Sequence, residues 1–210
     1  MLPVQLLHVD AALIVANKPA GLLSVPGRGA DKCDCLASRV RVQFADALIV
    51  HRLDMATSGL ILLARGAAVQ RSLSVAFAER RIDKAYQALV DGLVAQDLGE
   101  IDLPLAADWP NRPRQQVCAM RGKPSLTRWQ VIERDLIHGR TRLALQPVTG
   151  RSHQLRVHLA AIGHAILGDE LYAAPAVAAA APRLLLHACR LALQHPVDGT
   201  PLRIDSAAPF

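Results

Sequence analysis

The chain has 210 residues, 51% of them hydrophobic, which suits one large domain or two small ones with a sizeable core and excludes a disordered chain. Aromatics make up only 3%, so that core must be built from Leu, Val, Ile and Ala. A formal charge of +6 is compatible with a polyanionic partner, and equally with a basic protein that has none. The N-terminus MLPVQLLHVD lacks the basic n-region of a signal peptide, and no apolar run approaches the roughly 18 residues of a membrane span. No membrane partner is expected. The four cysteines, Cys33, Cys35, Cys118 and Cys189, form one C-x-C pair and two distant singletons, which match no standard zinc spacing. Reduced thiols in the cytoplasm are the simplest reading.

In chain order, ALIVANKPAGLLSVPG (12–27) predicts a strand, a Pro-Gly turn and a short extended piece. Residues 31–43 predict a helix capped by Asp31 or Asp34. Strands follow at 48–53 and 60–64. From Gly66 to Arg81, Val69, Leu73, Ala76 and Phe77 recur on one helical face. Residues 83–90 return as a strand containing Tyr86. Residues 100–133 predict more strands, broken by the loop DWPNRPRQQ (108–116). Residues 139–146 alternate as a strand with Leu143 and Leu145 on one side. SHQLRVHLAAIG (152–163) predicts a helix with Ser152 as N-cap and Gly163 just past its end. AAPAVAAAAP (173–182) predicts a short surface helix. LLLHACRLALQHP (184–196) predicts a long strand, and residues 202–204 one more. Strands outnumber helices with mixed connections, so the expected class is α+β around one large, mostly antiparallel sheet.

No GxGxxG, Walker, GxSxG or HExxH motif is present. His153 and His158 lie five apart, whereas ligands on one helical face need three or four. No metal site is expected, and the histidines are read as bonded to backbone or facing solvent.

Asp54, in HRLDMATSGL (51–60), is the acid that needs a reason. If the strand runs through 50–54, Arg52 and Asp54 point the same way and Leu53 points into the core. Asp54 then either accepts amide hydrogen bonds in the TSG turn or acts in chemistry. The second role needs a distant cation to keep the carboxylate ionised. Arg151 and Arg156, in VTGRSHQLRVH (148–158), are the candidates. Arg151 stands at a helix start suited to phosphate, and Arg156 lies among apolar neighbours, where an arginine usually has an anionic partner.

NKPAGLLSVPG, HRLDMATSG, DKAYQALV, VTGRSHQLRVHLAAIGHAILGDELY and PRLLLHACRL, in this order, resemble the pseudouridine synthases of the ribosomal-large-subunit type. That resemblance implies a single catalytic domain, 1–210, with a bent, mixed, mainly antiparallel sheet, flanking helices and no preceding S4 module. It implies Asp54 as nucleophile, Tyr86 packed on the target base, and Arg156 paired with Asp54. Arg52 would enter the space left by a flipped nucleotide, and Leu185 or Leu186 would floor the pocket. Arg151 and His153 are expected to contact RNA, as are Arg112, Arg114 and Lys123 around the DWPNRP loop. Arg80, Arg81, Arg121 and Lys84 are further basic candidates, and Lys18 is expected to brace the site. The reaction breaks C1′–N1, rotates the base and joins C5 to C1′. Nothing is oxidised and no group is transferred in, so no cofactor is implied. Attack at C1′ or at C6 of the base both satisfy this residue set. Few aromatics argue for recognition of a folded stem-loop through its backbone. The implied substrates are tRNA anticodon stem-loops and a 23S rRNA hairpin, bound by a monomer. The competing readings are a synthase acting on only one of these RNAs, a noncatalytic RNA-binding module and a metal-dependent hydrolase.

Overall fold

A computed structural model describes residues 4–27, 29 and 33–210. Asp31, one of the two expected helix caps, lies outside the described residues. The chain forms two compact units, Met1–Lys84 with His187–Pro209, and Ala85–Leu186 with Phe210. Few helices accompany many strands of mixed sense, so the α+β expectation holds.

In the first unit, β1 (Gln5–Val9) pairs antiparallel with β2 (Leu13–Lys18). β2 pairs antiparallel with β4 (Ser58–Arg65), from Leu13 opposite Ala64 to Lys18 opposite Gly59. The other edge of β4 takes β3 (Ala47–Ile49), antiparallel, and then His187 and Ala188 of β11 (Leu186–Gln194), parallel. β12 (Pro201–Asp205) pairs antiparallel with β11. Every residue of β4 from Ser58 to Ala64 is buried, as expected of a strand covered on both faces. Leu13, Val15, Leu60, Leu62 and Ala64 share one core cluster with Leu73 and Ala76 of α2 (Ala67–Ala78). Val69 and Phe77 pack against it, so the predicted helical face is the one that is buried. Leu36, Ala37 and Val40 are buried in α1 (Leu36–Arg41).

Three expectations here are corrected. The N-terminal QLLHV was read only for targeting, yet it is an edge strand. Helix α1 begins at Leu36 rather than near residue 31. Its N-cap is Cys35, whose sulfur accepts the Ser38 N–H while Ser38 Oγ accepts the Cys35 N–H. Asp34 instead pairs with Arg39 at 2.6 Å.

In the second unit, β5 (Asp83–Asp91) pairs antiparallel with β10 (Arg140–Pro147), β10 with β9 (Leu126–Asp135), and β9 with β6 (Leu98–Asp102). Leu143 and Leu145 are both buried, as their alternation predicts. β7 (Leu105–Ala107) and β8 (Gln115–Val117) form a hairpin that carries DWPNRP at its tip. α3 (Gln154–Ala161) and α4 (Pro175–Ala179) complete the unit.

Candidate active site

The segment carrying Asp54 is a loop and not a strand. β3 ends at Ile49, and beyond it His51 Nε2 accepts the Leu62 N–H of β4 at 2.9 Å, so a side chain takes the place of the next backbone acceptor. Burial and the nearby Lys84 ammonium lower the His51 pKa to about 3, and the ring is neutral. Its ring centroid lies 4.5 Å from that of Phe77.

Leu53 is buried as expected, although no strand alternation puts it there. Ser24 Oγ donates to the Leu53 carbonyl at 2.7 Å and accepts the Leu53 N–H at 3.1 Å. The Asp54 carbonyl accepts the Thr57 N–H and closes a four-residue turn. The Met55 carbonyl accepts both the Gly21 N–H at 2.8 Å and Lys18 Nζ at 3.0 Å. Asp54 itself is half-buried and Arg52 is exposed.

Gly59, the last residue of TSG, explains one constraint on this segment. Its φ is +114°, and a Cβ there would stand 2.3 Å from the Ala188 carbonyl oxygen. Only glycine lets β4 and β11 approach this closely.

Lys18 is fully buried at the end of β2. Besides Met55, its ammonium donates to the carbonyls of Pro19 at 2.9 Å and Leu22 at 2.7 Å. Three N–H donors meet three carbonyls, which ties the Pro-Gly turn to the Asp54 loop. Burial lowers the Lys18 pKa to about 7, and the Asp54 carboxylate opposes that fall.

The sign of the resulting pH dependence follows. From about pH 7 to the ordinary value of 10.5, the folded chain releases this proton while the unfolded chain keeps it. Stability conferred by proton release therefore rises with pH in that window and is absent below it. Urea midpoints of the wild type and Lys18→Met are expected to differ by an amount that shifts in the wild type's favour from pH 7 to 10. A pH-independent difference would contradict the titration of Lys18.

In the second unit, Tyr86 is half-buried on β5, opposite Leu145 of β10. Leu186 is buried, and Leu185 is half-buried with its backbone bonded to Leu89 and Leu167. The N-terminus of α3 differs from expectation. Ser152 is not the cap; His153 occupies that position with left-handed backbone, φ 54° and ψ 15°, and no side-chain cap bond. Such a conformation costs about 1–3 kcal/mol in a non-glycine residue and persists where surrounding contacts hold it. Here Nδ1 of His153 lies 2.6 Å from the Tyr172 hydroxyl.

Gln154 and His158, one turn apart, bond toward β9. Gln154 Oε1 accepts the Arg151 N–H and the Thr149 hydroxyl, and its Nε2 donates to Leu126 O and Thr127 Oγ1. His158 Nε2 meets the Leu103 carbonyl at 3.0 Å, so that nitrogen carries the proton and Nδ1 accepts from the Thr127 hydroxyl. Burial lowers the His158 pKa, keeping it neutral. His51 and His158 bond backbone groups as expected, whereas the hydroxyl partners of His153 and His158 differ from that expectation.

Arg156 is buried, and its fork meets Asp169 with Nε–Oδ2 at 2.8 Å and Nη2–Oδ1 at 2.6 Å. Asp169, within the same motif, is a carboxylate partner of Arg156 that the sequence does not single out beside the expected pairing with Asp54. Oδ1 of Asp169 also accepts the N–H groups of Leu171 and Tyr172. The Tyr172 ring centroid lies 5.1 Å from the Arg156 guanidinium and 5.7 Å from that of Arg114.

The structure thus brings Arg52 and Asp54 into one loop, and Arg151, His153 and Arg156 around one helix start. Arg151 is exposed, with Nε donating to Pro124 O at 3.3 Å. Lys123 is exposed beside the hairpin, its N–H bonded to Leu105 O. Arg112 is exposed at the hairpin tip. Arg114 is partly committed, donating to the Leu171 carbonyl. Among the described residues, no group of three or more His, Cys, Asp or Glu is placed to hold a metal, and no helix is long and apolar enough to cross a membrane.

Residues 12–161 match the family model described as RNA pseudouridylate synthase. A dual-specificity RNA pseudouridine synthase RluA of Yersinia pestis is 53% identical over 204 residues, 97% of this chain and 98% of that protein. Its counterpart from Escherichia coli K12 is 48% identical over 205 residues, 98% of this chain and 93% of that one. Among solved structures, human RNA pseudouridylate synthase domain containing 1 superposes with a TM-score of 0.83 at 29% identity, covering 99% of this chain and 84% of that chain. The motifs built around Asp54 and Arg156 fall within the matched residues, and the chain belongs to the RNA pseudouridylate synthase family.

Proposed function

We propose that this chain isomerises uridine to pseudouridine in tRNA anticodon stem-loops and in a 23S rRNA hairpin, working in the cytoplasm as a monomer. Family membership carries the reaction, and the dual specificity in the names of its relatives supports two RNA classes. Asp54 is the nucleophile, Tyr86 packs on the flipped base and Arg156 pairs with Asp54. Arg52 enters the duplex where the nucleotide leaves, and Leu185 or Leu186 floors the pocket. Arg112, Arg114, Lys123, Arg151 and His153 face RNA.

The observation that supports Asp54 most is its setting. The half-buried acid sits in a loop whose backbone is pinned by Ser24, Gly21 and the Lys18 ammonium. Such preorganisation serves a group that must meet a reacting carbon at a fixed distance. Extruding the target uridine from its stack costs a few kcal/mol, which contacts elsewhere on the RNA must offset.

Mapping pseudouridine in tRNA and 23S rRNA from a strain lacking this chain tests the substrate assignment. Loss at a tRNA anticodon-loop site and at a 23S site is expected. Loss in only one RNA class would reduce the assignment to single specificity. Raising salt from 50 to 200 mM should weaken stem-loop binding roughly 50- to 150-fold if about four phosphates are contacted. A flat salt response in a filter-binding titration would contradict the phosphate contacts.

A further inference from the structure

The chain has two tryptophans, and they are placed in opposite ways. Trp129 lies on β9 and is 8% exposed, whereas Trp109 projects from the β7–β8 hairpin tip and is 67% exposed. The Arg112 guanidinium lies 3.3 Å from the Trp109 ring centroid, against the ring face. An indole with one face covered by a cation has one face left to offer.

The tip holding this pair is internally bonded. Asp108 N–H donates to Arg114 O, Asn111 N–H to Asp108 O, and Arg114 N–H to Asn111 O. The Asn111 side chain donates to Asp108 Oδ2 at 3.0 Å. The tip is also anchored to its own unit, because Gln115 N–H donates to the Tyr172 hydroxyl at 2.8 Å and Arg114 to the Leu171 carbonyl. Trp109 is therefore presented by a preorganised turn, which reduces the entropy lost when something stacks on it. Arg112 is exposed at the tip, and Arg121 and Lys123 are exposed further along the same unit, Lys123 bonded to Leu105 at the start of β7. An exposed aromatic face backed by a guanidinium suits a nucleic-acid base with its phosphates, since every base has a π-face and the backbone is anionic.

We propose that Trp109, backed by Arg112, is a stacking platform for an unpaired base of the RNA substrate. This deepens the function proposed above and rests on it for the choice of RNA as occupant. The platform acts in binding and takes no part in bond making, so it sets KM and leaves the saturated rate alone. Low aromatic content argues against a row of such platforms, but not against a single one at the tip of a hairpin.

The test uses tryptophan emission of the full chain titrated with an anticodon stem-loop RNA, beside the same RNA with abasic loop nucleotides. The intact RNA is expected to quench Trp109. Trp109→Phe should abolish the quench while Trp129 emission persists. The abasic RNA should bind the wild type more weakly and quench little. Trp109→Ala should weaken stem-loop binding about tenfold, with saturated pseudouridine formation within about twofold of wild type. The slope of log Kd against log salt should be unchanged in Trp109→Ala and smaller by about one in Arg112→Ala. If the wild type makes pseudouridine while Trp109 emission ignores RNA and Trp109→Ala binds normally, the platform is overturned and the function stands. That outcome would leave the surface for a protein partner. If the wild type neither binds nor modifies RNA, both fall.

Discussion

Asp54→Asn is expected to abolish pseudouridine formation, by about 10⁴-fold or more, while stem-loop affinity stays within a few-fold of wild type. Loss of a nucleophile typically costs a rate factor of this order. The substitution is nearly isosteric. The backbone bonds that shape the loop, Thr57 N–H to Asp54 O, Gly21 N–H to Met55 O and the Ser24–Leu53 pair, do not use the carboxylate. Binding rests on phosphate contacts elsewhere and should survive. One further consequence is specific to this protein. Asp54 opposes the fall of the Lys18 pKa, so neutralising it lets that pKa fall further. The stability gained on raising pH should therefore begin at lower pH in Asp54→Asn than in wild type. Measurable turnover by the variant would remove Asp54 as the nucleophile.

Asp169→Ala is expected to carry a large stability cost. The Arg156–Asp169 pair is bidentate, with side chains only 5% and 1% exposed. Removing one member of such a pair typically costs about 3–5 kcal/mol, because the other charge loses its compensation while staying out of water. Asp169 also accepts two backbone N–H groups of the 169–172 turn, and those bonds go with it. Urea unfolding should show a loss of this size with an unchanged m-value. Asp169→Asn keeps the acceptor oxygen and should lose less stability, while catalysis falls because Arg156 is no longer held by a charge-assisted fork. If Asp169→Asn retained wild-type turnover, Arg156 would not depend on Asp169 for its position.

Asp169 shows where sequence reading stopped short. An arginine flanked by Leu155 and Val157 signals an anionic partner, and that inference was sound. Finding Asp169 requires knowing that the 169–172 turn folds back on α3, a tertiary fact with no periodic signature. Leu53 illustrates the opposite case. Its burial was anticipated from strand alternation, yet it is buried by a loop latched to Ser24. The helix face of Val69, Leu73, Ala76 and Phe77 was legible because amphipathic period survives in sequence. The start of α3 was not, because a left-handed His153 mimics no capping pattern; it depends on contacts that include Tyr172, nineteen residues away. Lys18 was suspected as a brace, but its complete burial was not legible, since lysine is ordinarily exposed. The residues that carry the resemblance, HRLD and GRxHQxRxH, were legible as a motif before any role could be read from physics alone.

The most direct measurement is tritium release from RNA carrying C5-tritiated uridine, incubated with the purified chain in the presence of a chelator. Forming the C5–C1′ bond expels the hydrogen at C5, so each isomerisation liberates one tritium to water. Release is expected from both an anticodon stem-loop and a 23S hairpin, undiminished by the chelator, with none from Asp54→Asn. Binding of these RNAs by the wild type without any tritium release would contradict it and leave a noncatalytic RNA-binding protein in its place.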